Sequence, residues 1–265
     1  MKRTTTATLI GAATLIALAG CGSSGAAVSE GDSVELDALS TDVDAAMRDA
    51  GTGSMKAESD GVELEGDFQL GKTEAASVTG TTGGQPVDLR VVDGVHYLKA
   101  PSPEVTQKGK TWIKADPESK KPQDQQLASS MTAMTDLRNP LAAIDGAEDA
   151  KAEVTKVEDD RVTYEIALSK KQMGAVLEQQ AKDAGDEQGA AMAAQQARKT
   201  TTTLVVDKGD LPVEATTKAG QATLDVAYSS WGEDVSVEAP PKGTVGTLEV
   251  PTRDGPPGSG SSSSQ

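Results

Sequence analysis

The stretch "GVELEGDFQL" (61–70) decides the fold class, because its side chains alternate between apolar and polar along the chain. The apolar positions share one face and the polar positions the other: Val62, Leu64, Phe68 and Leu70 against Glu63, Glu65, Asp67 and Gln69. A period of two with one apolar face is typical of an antiparallel strand that packs one side on a core. The stretch therefore predicts a sheet with its other face in water.

The same alternation recurs along most of the chain and predicts a large antiparallel sheet. Asp93-Gly94 separates two of the apolar runs and is a sequence that two-residue hairpin turns favour. Besides 62–70, strands are predicted around Val78 and at 87–91, 95–97, 112–114, 162–168, 204–206, 213–215 and 224–228.

One segment before the first strand has a helical pattern. Residues 36–50 carry apolar side chains at helical spacing, which predicts an amphipathic helix at the start of the domain. Asp32 or Ser33 would cap its N-terminus, and Gly51 would end it. Together with the strands, this helix predicts an α+β fold in which helices gather on one face of the sheet.

Two further segments interrupt the strands. Residues 123–147 have the apolar spacing of two short helices, which Asn139-Pro140 would separate because proline ends a helix. Residues 170–199 are rich in alanine and glutamine and predict a helical insertion that covers part of the sheet. Two glycines weaken the middle of that insertion, so we expect its centre to be marginally stable.

The N-terminus has the features of an export signal. Basic residues precede an apolar run at 9–19, which at ~1.5 Å per residue is too short to span a ~30 Å hydrocarbon core. Small residues stand directly before Cys21, the only cysteine, and "LAGC" (18–21) resembles the lipobox of bacterial lipoproteins. The resemblance implies that Cys21 carries a diacylglyceryl anchor. A secreted protein with a free thiol is the alternative.

These features divide the chain into four parts. We expect a signal peptide at 1–20, the lipidated cysteine and a flexible tether at 21–32, one domain at 33–250 and a disordered tail at 251–265. The anchor would hold the protein at the cell membrane, on its extracytoplasmic face.

The chain is acidic, with 25 Lys and Arg against 41 Asp and Glu and a net charge of −16. Loss of residues 1–20 removes Lys2 and Arg3 and no acidic residue, so the mature chain has 23 basic against 41 acidic residues, or −18. Such a surface repels nucleic acid and anionic head groups, so a nucleic-acid partner is not expected.

Five stretches have the order and approximate spacing found in a group of actinobacterial lipoproteins: "VVDGVHYLKAP" (91–101), "KTWIKAD" (110–116), "NPLAAIDGA" (139–147), "DKGDLPVEAT" (207–216) and "YSSWGEDVSVEAPP" (228–241). This group is similar to the LppX/LprG/LprA lipoproteins. The resemblance covers roughly 33–245, and none of its motifs is catalytic. It implies a LolA-like fold, a strongly curved antiparallel half-barrel closed by helices around an apolar cavity. It also implies binding, or binding and transfer, of acylated lipids or glycolipids.

The inward strand face is the candidate wall of such a cavity, with 123–147 and 170–199 as its lid. The candidate lining residues are Val62, Leu64, Phe68, Leu89, Val91, Val162, Tyr164, Ile166, Leu204, Val206, Leu224, Val226 and Tyr228. The chain has six aromatic residues, and a face with few large rings suits slots for acyl chains. A genomic bias toward Ala, Gly and Val codons would give the same composition, and the same face would equally suit a filled core.

Catalysis is not expected from the residue types present. The only histidine, His96, lies on a predicted strand and is expected at the surface, and no serine stands in a recognisable nucleophile elbow. Acidic runs at 148–149 and 158–160 lie in hydrophilic segments and are expected in water. The sequence has no Cys/His metal cluster or calcium-loop pattern, so no metal or cofactor is expected.

The leading hypothesis is a monomeric, membrane-anchored lipoprotein that holds an acylated lipid or glycolipid. The alternative is a structural lipoprotein with a filled core that presents its acidic surface to an envelope protein, and an unrecognised hydrolase is a third hypothesis. An apolar void of several hundred Å³ favours the first, and native packing density favours the second.

Overall fold

The computed structural model describes residues 28–117, 119, 122–183 and 187–249. Within these residues, one sheet contains the strands β1 (Ser33–Glu35), β2 (Thr52–Ser59), β3 (Val62–Leu70), β4 (Glu74–Thr82), β5 (Gln85–Val92), β6 (Val95–Lys99), β7 (Trp112–Ala115), β8 (Lys151–Val157), β9 (Arg161–Leu168), β10 (Thr200–Asp207), β11 (Pro212–Ala219), β12 (Ala222–Ser229) and β13 (Val245–Gly246). The helices are α1 (Leu36–Ala50), α2 (Pro122–Thr135), α3 (Lys170–Asp183) and α4 (Glu187–Gln196). Single 3₁₀ turns occur at Pro103–Val105, Asp136–Arg138, Ala142–Ile144 and Lys242–Thr244. The predicted signal peptide, Cys21 and the tail at 251–265 lie outside the described residues.

The strands form two antiparallel meanders that meet in the middle of the sheet. One meander runs from β2 to β7 and the other from β8 to β12, and β12 pairs with β2 at the junction. At the edges, β1 pairs with β8, and the two-residue β13 pairs with β7 in parallel. The two edges of the described sheet do not pair with each other, so this curved sheet is open. The predicted α+β class is confirmed, and β13 is the parallel exception to the predicted antiparallel order.

Every strand predicted from alternating side chains is present. In β3, Leu64 and Phe68 are 4% and 1% exposed, while Glu63 and Glu65 between them are in water. The Asp93-Gly94 turn joins β5 to β6 with φ values of 51° and 74°, the positive values that a type I′ hairpin requires. Four strands were not predicted: β1, β2, β8 and β13.

The helices cover the apolar face of the sheet in separate places. α1 contacts β2 and β8, α2 contacts β4, β6 and β7, and α3 contacts β9. The core lies between these helices and the inward strand positions, and α4 packs on α3. Burial of each large apolar side chain contributes about 1.5–3 kcal/mol, so this layer holds the fold together.

Helix α1 has the bounds that its pattern predicts, but its N-cap differs. Gly51 ends the helix in the left-handed region at φ 77°, where its N–H donates to the Met47 carbonyl at 3.0 Å. The N-cap is Glu35, which makes no side-chain capping bond. The prediction of Asp32 or Ser33 as cap is therefore wrong, because pairing of β1 with β8 holds this backbone extended before the helix begins.

The segment after α2 is not the second helix that the sequence predicts. It forms the 3₁₀ turns Asp136–Arg138 and Ala142–Ile144 instead. Between them, the Asn139 side-chain oxygen accepts the Leu141 N–H at 3.0 Å. Pro140 supplies no N–H at all, so a regular helical hydrogen-bond series cannot pass through this point.

The predicted insertion is a pair of packed helices, α3 and α4. Gly174 allows their close approach, since a Cβ there would lie 3.3 Å from the Ala194 carbonyl oxygen and 3.6 Å from Ala197 Cβ. Met173 and Val176 are buried, whereas Met192 on α4 is 60% exposed. The centre of the insertion, 184–186, lies outside the described residues.

Phe68, Tyr228 and Trp231 form an aromatic cluster at one end of β3 and β12. The Phe68 and Trp231 rings meet edge to face with centroids 5.4 Å apart, and the Tyr228 and Trp231 rings are stacked at 6.3 Å. The indole N–H of Trp231 donates to the Pro212 carbonyl at 2.8 Å. From here the chain crosses the outer face of the sheet toward β7. Two side chains of the sheet donate hydrogen bonds to this crossing segment: Gln69 to the Val235 carbonyl at 2.6 Å, and Arg90 to the Glu238 carbonyl at 3.0 Å.

Candidate ligand cavity

The helices leave a gap over β11 and β12, and this gap is an apolar cavity of about 470 Å³. One wall comes from α2 and the 3₁₀ turns that follow it, and the floor comes from the two strands. The lining residues are Ser129, Thr132, Ala133, Asp136, Leu137, Asn139, Pro140, Ala142, Ala143, Gln180, Ala215, Thr217, Leu224, Val226 and Tyr228.

The floor consists of the inward positions of two paired strands. Ala215 lies opposite Val226, and Thr217 lies opposite Leu224, so the period of two brings these four side chains to one surface. Ala215 and Val226 are each 4% exposed, while Thr217 and Leu224 are half-buried. The floor is therefore buried at Ala215 and Val226 and more exposed toward the β11–β12 turn.

A buried tyrosine ties the wall of the cavity to its floor. The Tyr228 hydroxyl, on β12, donates to the Leu137 carbonyl at 2.8 Å. Burial strongly raises the pKa of Tyr228, so its hydroxyl stays protonated and remains a donor. This bond holds the Asp136–Arg138 turn over β12.

The wall itself presents small side chains to the cavity. Leu141 and Ile144 are 1% and 2% exposed and belong to the core, whereas Ala142 and Ala143 line the cavity. Because alanine extends only a methyl group from the backbone, this part of the wall leaves space that larger residues would fill.

The mouth is formed by exposed residues from three segments. Ser129 and Ala133 of α2, Ala143 of the wall and Gln180 of α3 are all exposed to water. The Gln180 side-chain amide donates to the Ala142 carbonyl at 3.4 Å, a long bond that links α3 to the wall. A hydrogen bond of this length is weak, and the buried side chains of Met173 and Val176 also hold α3 in place.

One ionisable carboxyl group belongs to the cavity wall. Asp136 is half-buried, and its burial raises the pKa of the carboxyl group, while attraction to Arg138 works in the opposite direction. Arg138 in turn lies 3.6 Å from a Glu74 carboxylate oxygen, and the other oxygen of Glu74 is 3.2 Å from Arg48.

Three of the candidate lining residues lie at the cavity: Leu224, Val226 and Tyr228. The others lie in or against the packed core elsewhere on the same face: Leu64, Phe68, Leu89, Tyr164, Ile166, Leu204 and Val206 are buried, and Val62, Val91 and Val162 are half-buried against them. Contact of these ten with a lipid stays a prediction. The wall residues were missed, because small residues after α2 give no pattern that distinguishes a cavity wall from a loop.

His96 is not the surface residue that its strand predicts. It is 6% exposed beneath α2, with its Nε2 atom 3.1 Å from the Thr132 hydroxyl. Burial lowers the pKa of His96, which favours the neutral ring. The acidic runs at 148–149 and 158–160 are exposed, as predicted.

Other depressions among the described residues lie on the outer face of the sheet and beside α1. Two on the outer face have volumes of about 330 and 530 Å³ and are lined mainly by serine, threonine and charged side chains, among them Ser77 and Thr79. One beside α1 has a volume of about 590 Å³ and is lined mainly by polar residues, among them Asp37, Asp44 and Arg48. In the described ranges, no three His, Cys, Asp or Glu side chains are arranged to hold a metal ion. No helix of the described part of the chain is long and apolar enough to cross a bilayer.

No family model matches the chain, and no curated protein matches its sequence at a significant level. Among solved structures, the chain is similar to LprF from Mycobacterium bovis, at 12% identity and a TM-score of 0.43, over 77% of this chain and 95% of that one. It is similar to the lipoprotein LppX from Mycobacterium tuberculosis, at 16% identity and a TM-score of 0.43, over 77% and 100% of the two chains. A LolA superfamily protein from Nitrosomonas europaea matches at 11% identity and a TM-score of 0.27, over 77% and 96%.

Proposed function

We propose that this protein is a lipid-anchored lipoprotein on the extracytoplasmic face of the cell membrane, and that it binds an acyl chain of a lipid or glycolipid in the cavity over β11 and β12. The function is binding and not catalysis. Release of the bound lipid to a second envelope component would make the protein a carrier.

The cavity is the main observation that supports this proposal. Its volume of about 470 Å³ lies within the ~300–1,000 Å³ of ordinary ligand sites. If a methylene group needs about the ~30 Å³ that a water molecule occupies in the liquid, this volume is on the order of 16 such groups. The site therefore suits one long acyl chain, and each methylene that leaves water contributes about 0.8 kcal/mol.

The walls support an apolar occupant. Leucine, valine, alanine and proline side chains form most of the lining, and the floor at Val226 is withdrawn from water. A cavity with a buried apolar floor and exposed residues at its mouth gains most from a ligand with an apolar tail and a polar end.

The anchor and tether place the cavity near lipids. The first described residue is Val28, seven positions after Cys21. Fully extended, such a link reaches at most about 25 Å, so the domain would remain close to the membrane surface. A lipid could then pass between the bilayer and the cavity over a short distance.

One observation favours a second candidate, a partner-binding lipoprotein of the envelope. Most of the inner face is packed, since Ile166, Leu204 and Val206 are each fully buried away from the cavity. In this case the cavity would be an incidental gap, and the acidic surface would contact another envelope protein.

Lipid analysis of the exported protein tests the proposal. The protein is purified from a lipid-rich native envelope, and non-covalent lipids are extracted and identified by mass spectrometry. We expect near-stoichiometric acyl lipid in the wild type. Val226→Trp places an indole in the cavity floor and should remove most of it.

Val205→Trp is the matched control. Val205 lies on β10 and faces the other side of the sheet from its buried neighbours Leu204 and Val206, so the same substitution there should leave bound lipid unchanged. A wild type without stoichiometric lipid would refute acyl-chain binding and leave the partner-binding function. Equal lipid in both variants would refute this cavity as the site.

A further inference from the structure

The charged and polar groups of the cavity lining bear on which lipid head groups it can accept. Of the fifteen lining residues, Asp136 is the one with a carboxyl group, and the lining contains no Lys, Arg or His among the described residues. A head group at this wall therefore meets a carboxyl group and no cation.

The cation that interacts with Asp136 lies outside the cavity lining. Arg138 is close enough to Asp136 to lower the pKa of its carboxyl group, but Arg138 is not part of the lining. Its guanidinium lies 3.6 Å from Glu74, so it already faces a second carboxylate. Arg138 is therefore shared between two carboxyl groups, and Glu74 is also paired with Arg48 at 3.2 Å.

The other polar groups of the lining are neutral. The side chains of Ser129, Thr132, Asn139, Gln180 and Thr217 all belong to the lining. Hydroxyl and amide groups both donate and accept hydrogen bonds, so they can satisfy a glycerol or sugar hydroxyl or an ester carbonyl. Asp136 can accept a hydrogen bond from a ligand hydroxyl and repels a ligand carboxylate or phosphate.

We propose that the cavity selects acyl lipids with an uncharged, hydroxyl-bearing or ester head group, of the acylglycerol kind, and rejects fatty acids and anionic phospholipids. This inference rests on the proposed binding of an acyl chain in the cavity. An anionic head group here would stand beside the half-buried carboxyl group of Asp136, with no basic side chain in the lining to offset it, which is unfavourable. The net charge of −16 over the whole chain acts in the same direction at longer range.

A pair of ligands with the same tail tests this selectivity. Monododecanoylglycerol and dodecanoate compete, at concentrations below micelle formation, for a fluorescent monoacylglycerol bound to the full mature chain at neutral pH. We expect the uncharged ligand to compete about ten-fold better or more. Asp136→Asn should reduce this preference by strengthening the binding of dodecanoate, with little effect on the glycerol ester.

Asp145→Asn is the matched control, because Asp145 is an exposed carboxylate outside the lining, and it should keep the wild-type preference. Equal or better binding of dodecanoate to the wild type would overturn the selectivity and leave the acyl-chain site intact. A preference that Asp136→Asn does not change would overturn the role of Asp136. Failure of both ligands and of the probe to bind would overturn the proposed function itself. The wild-type comparison needs no variant, so it decides the selectivity even if Asp136→Asn does not fold.

Discussion

Removal of the Tyr228 hydroxyl tests whether one hydrogen bond holds the cavity wall on the sheet. In Tyr228→Phe the ring and its place in the aromatic cluster are kept, but the 2.8 Å bond to the Leu137 carbonyl is lost. A buried hydrogen bond contributes about 1 kcal/mol net, and a carbonyl left without a donor costs about 1–3 kcal/mol. Since the Tyr228 side chain is 5% exposed, we expect the upper part of this effect, about 2 kcal/mol.

Thermal unfolding and hydrogen exchange measure the two consequences of this change. For a domain of this size, about 2 kcal/mol corresponds to a fall in melting temperature of roughly 4–8 °C. The amides of 139–147 should also exchange faster, because the wall is then held at fewer points. Tyr97→Phe is the control, since Tyr97 is half-buried on the other face of the sheet. Unchanged stability together with unchanged exchange in 139–147 would show that the wall is held without this bond.

The remaining predictions concern the core, the insertion and the anchor. Burial lowers the pKa of His96 below its usual 6.5, so the unfolded chain binds a proton at this ring more readily than the folded chain does. The free energy of unfolding should therefore fall as the pH drops below about 6.5. Urea titrations at about pH 7.5 and pH 5.5 measure this fall, which should be smaller in His96→Gln than in the wild type. Gly53→Ala would place a methyl carbon 2.7 Å from a ring of the aromatic cluster and should lower stability by about 1–3 kcal/mol, whereas Gly71→Ala, with nothing within 4 Å, should not. Amides of 180–195 should exchange faster than those of the central strands, and strong protection there would mean that this segment is core and not lid. Cys21→Ala should move the protein out of the detergent phase, and unchanged membrane association would contradict the lipid anchor.

The sequence by itself determined the elements whose patterns are local. Strands β3, β9 and β12 alternate apolar and polar residues, and this alternation needs no knowledge of partners to predict a half-buried strand. Helix α1 has a stripe of four buried apolar residues and a glycine that ends it. The Asp93-Gly94 turn follows from the positive φ angles that the turn requires.

Strands β2 and β8 take their extended conformation from pairing with neighbouring strands and not from their own residue pattern. In β2 the inward residues include Gly53, Met55 and Ala57, which have little intrinsic preference for a strand. β2 is nevertheless the strand that joins the two meanders, because β3 and β12 offer hydrogen-bonding edges on both sides of it. Pairing between distant segments overrides a weak local preference.

The position of the cavity was decided by tertiary structure alone. Ile166 and Val226 have the same strand pattern and both are buried in the core, yet of the two Val226 alone also borders the cavity. The difference is which helix stands opposite each strand: α3 contacts β9, whereas α2 contacts β4, β6 and β7, and the gap between them falls over β11 and β12. A cavity is the space left between segments that are far apart in the chain, so no local run of residues records it.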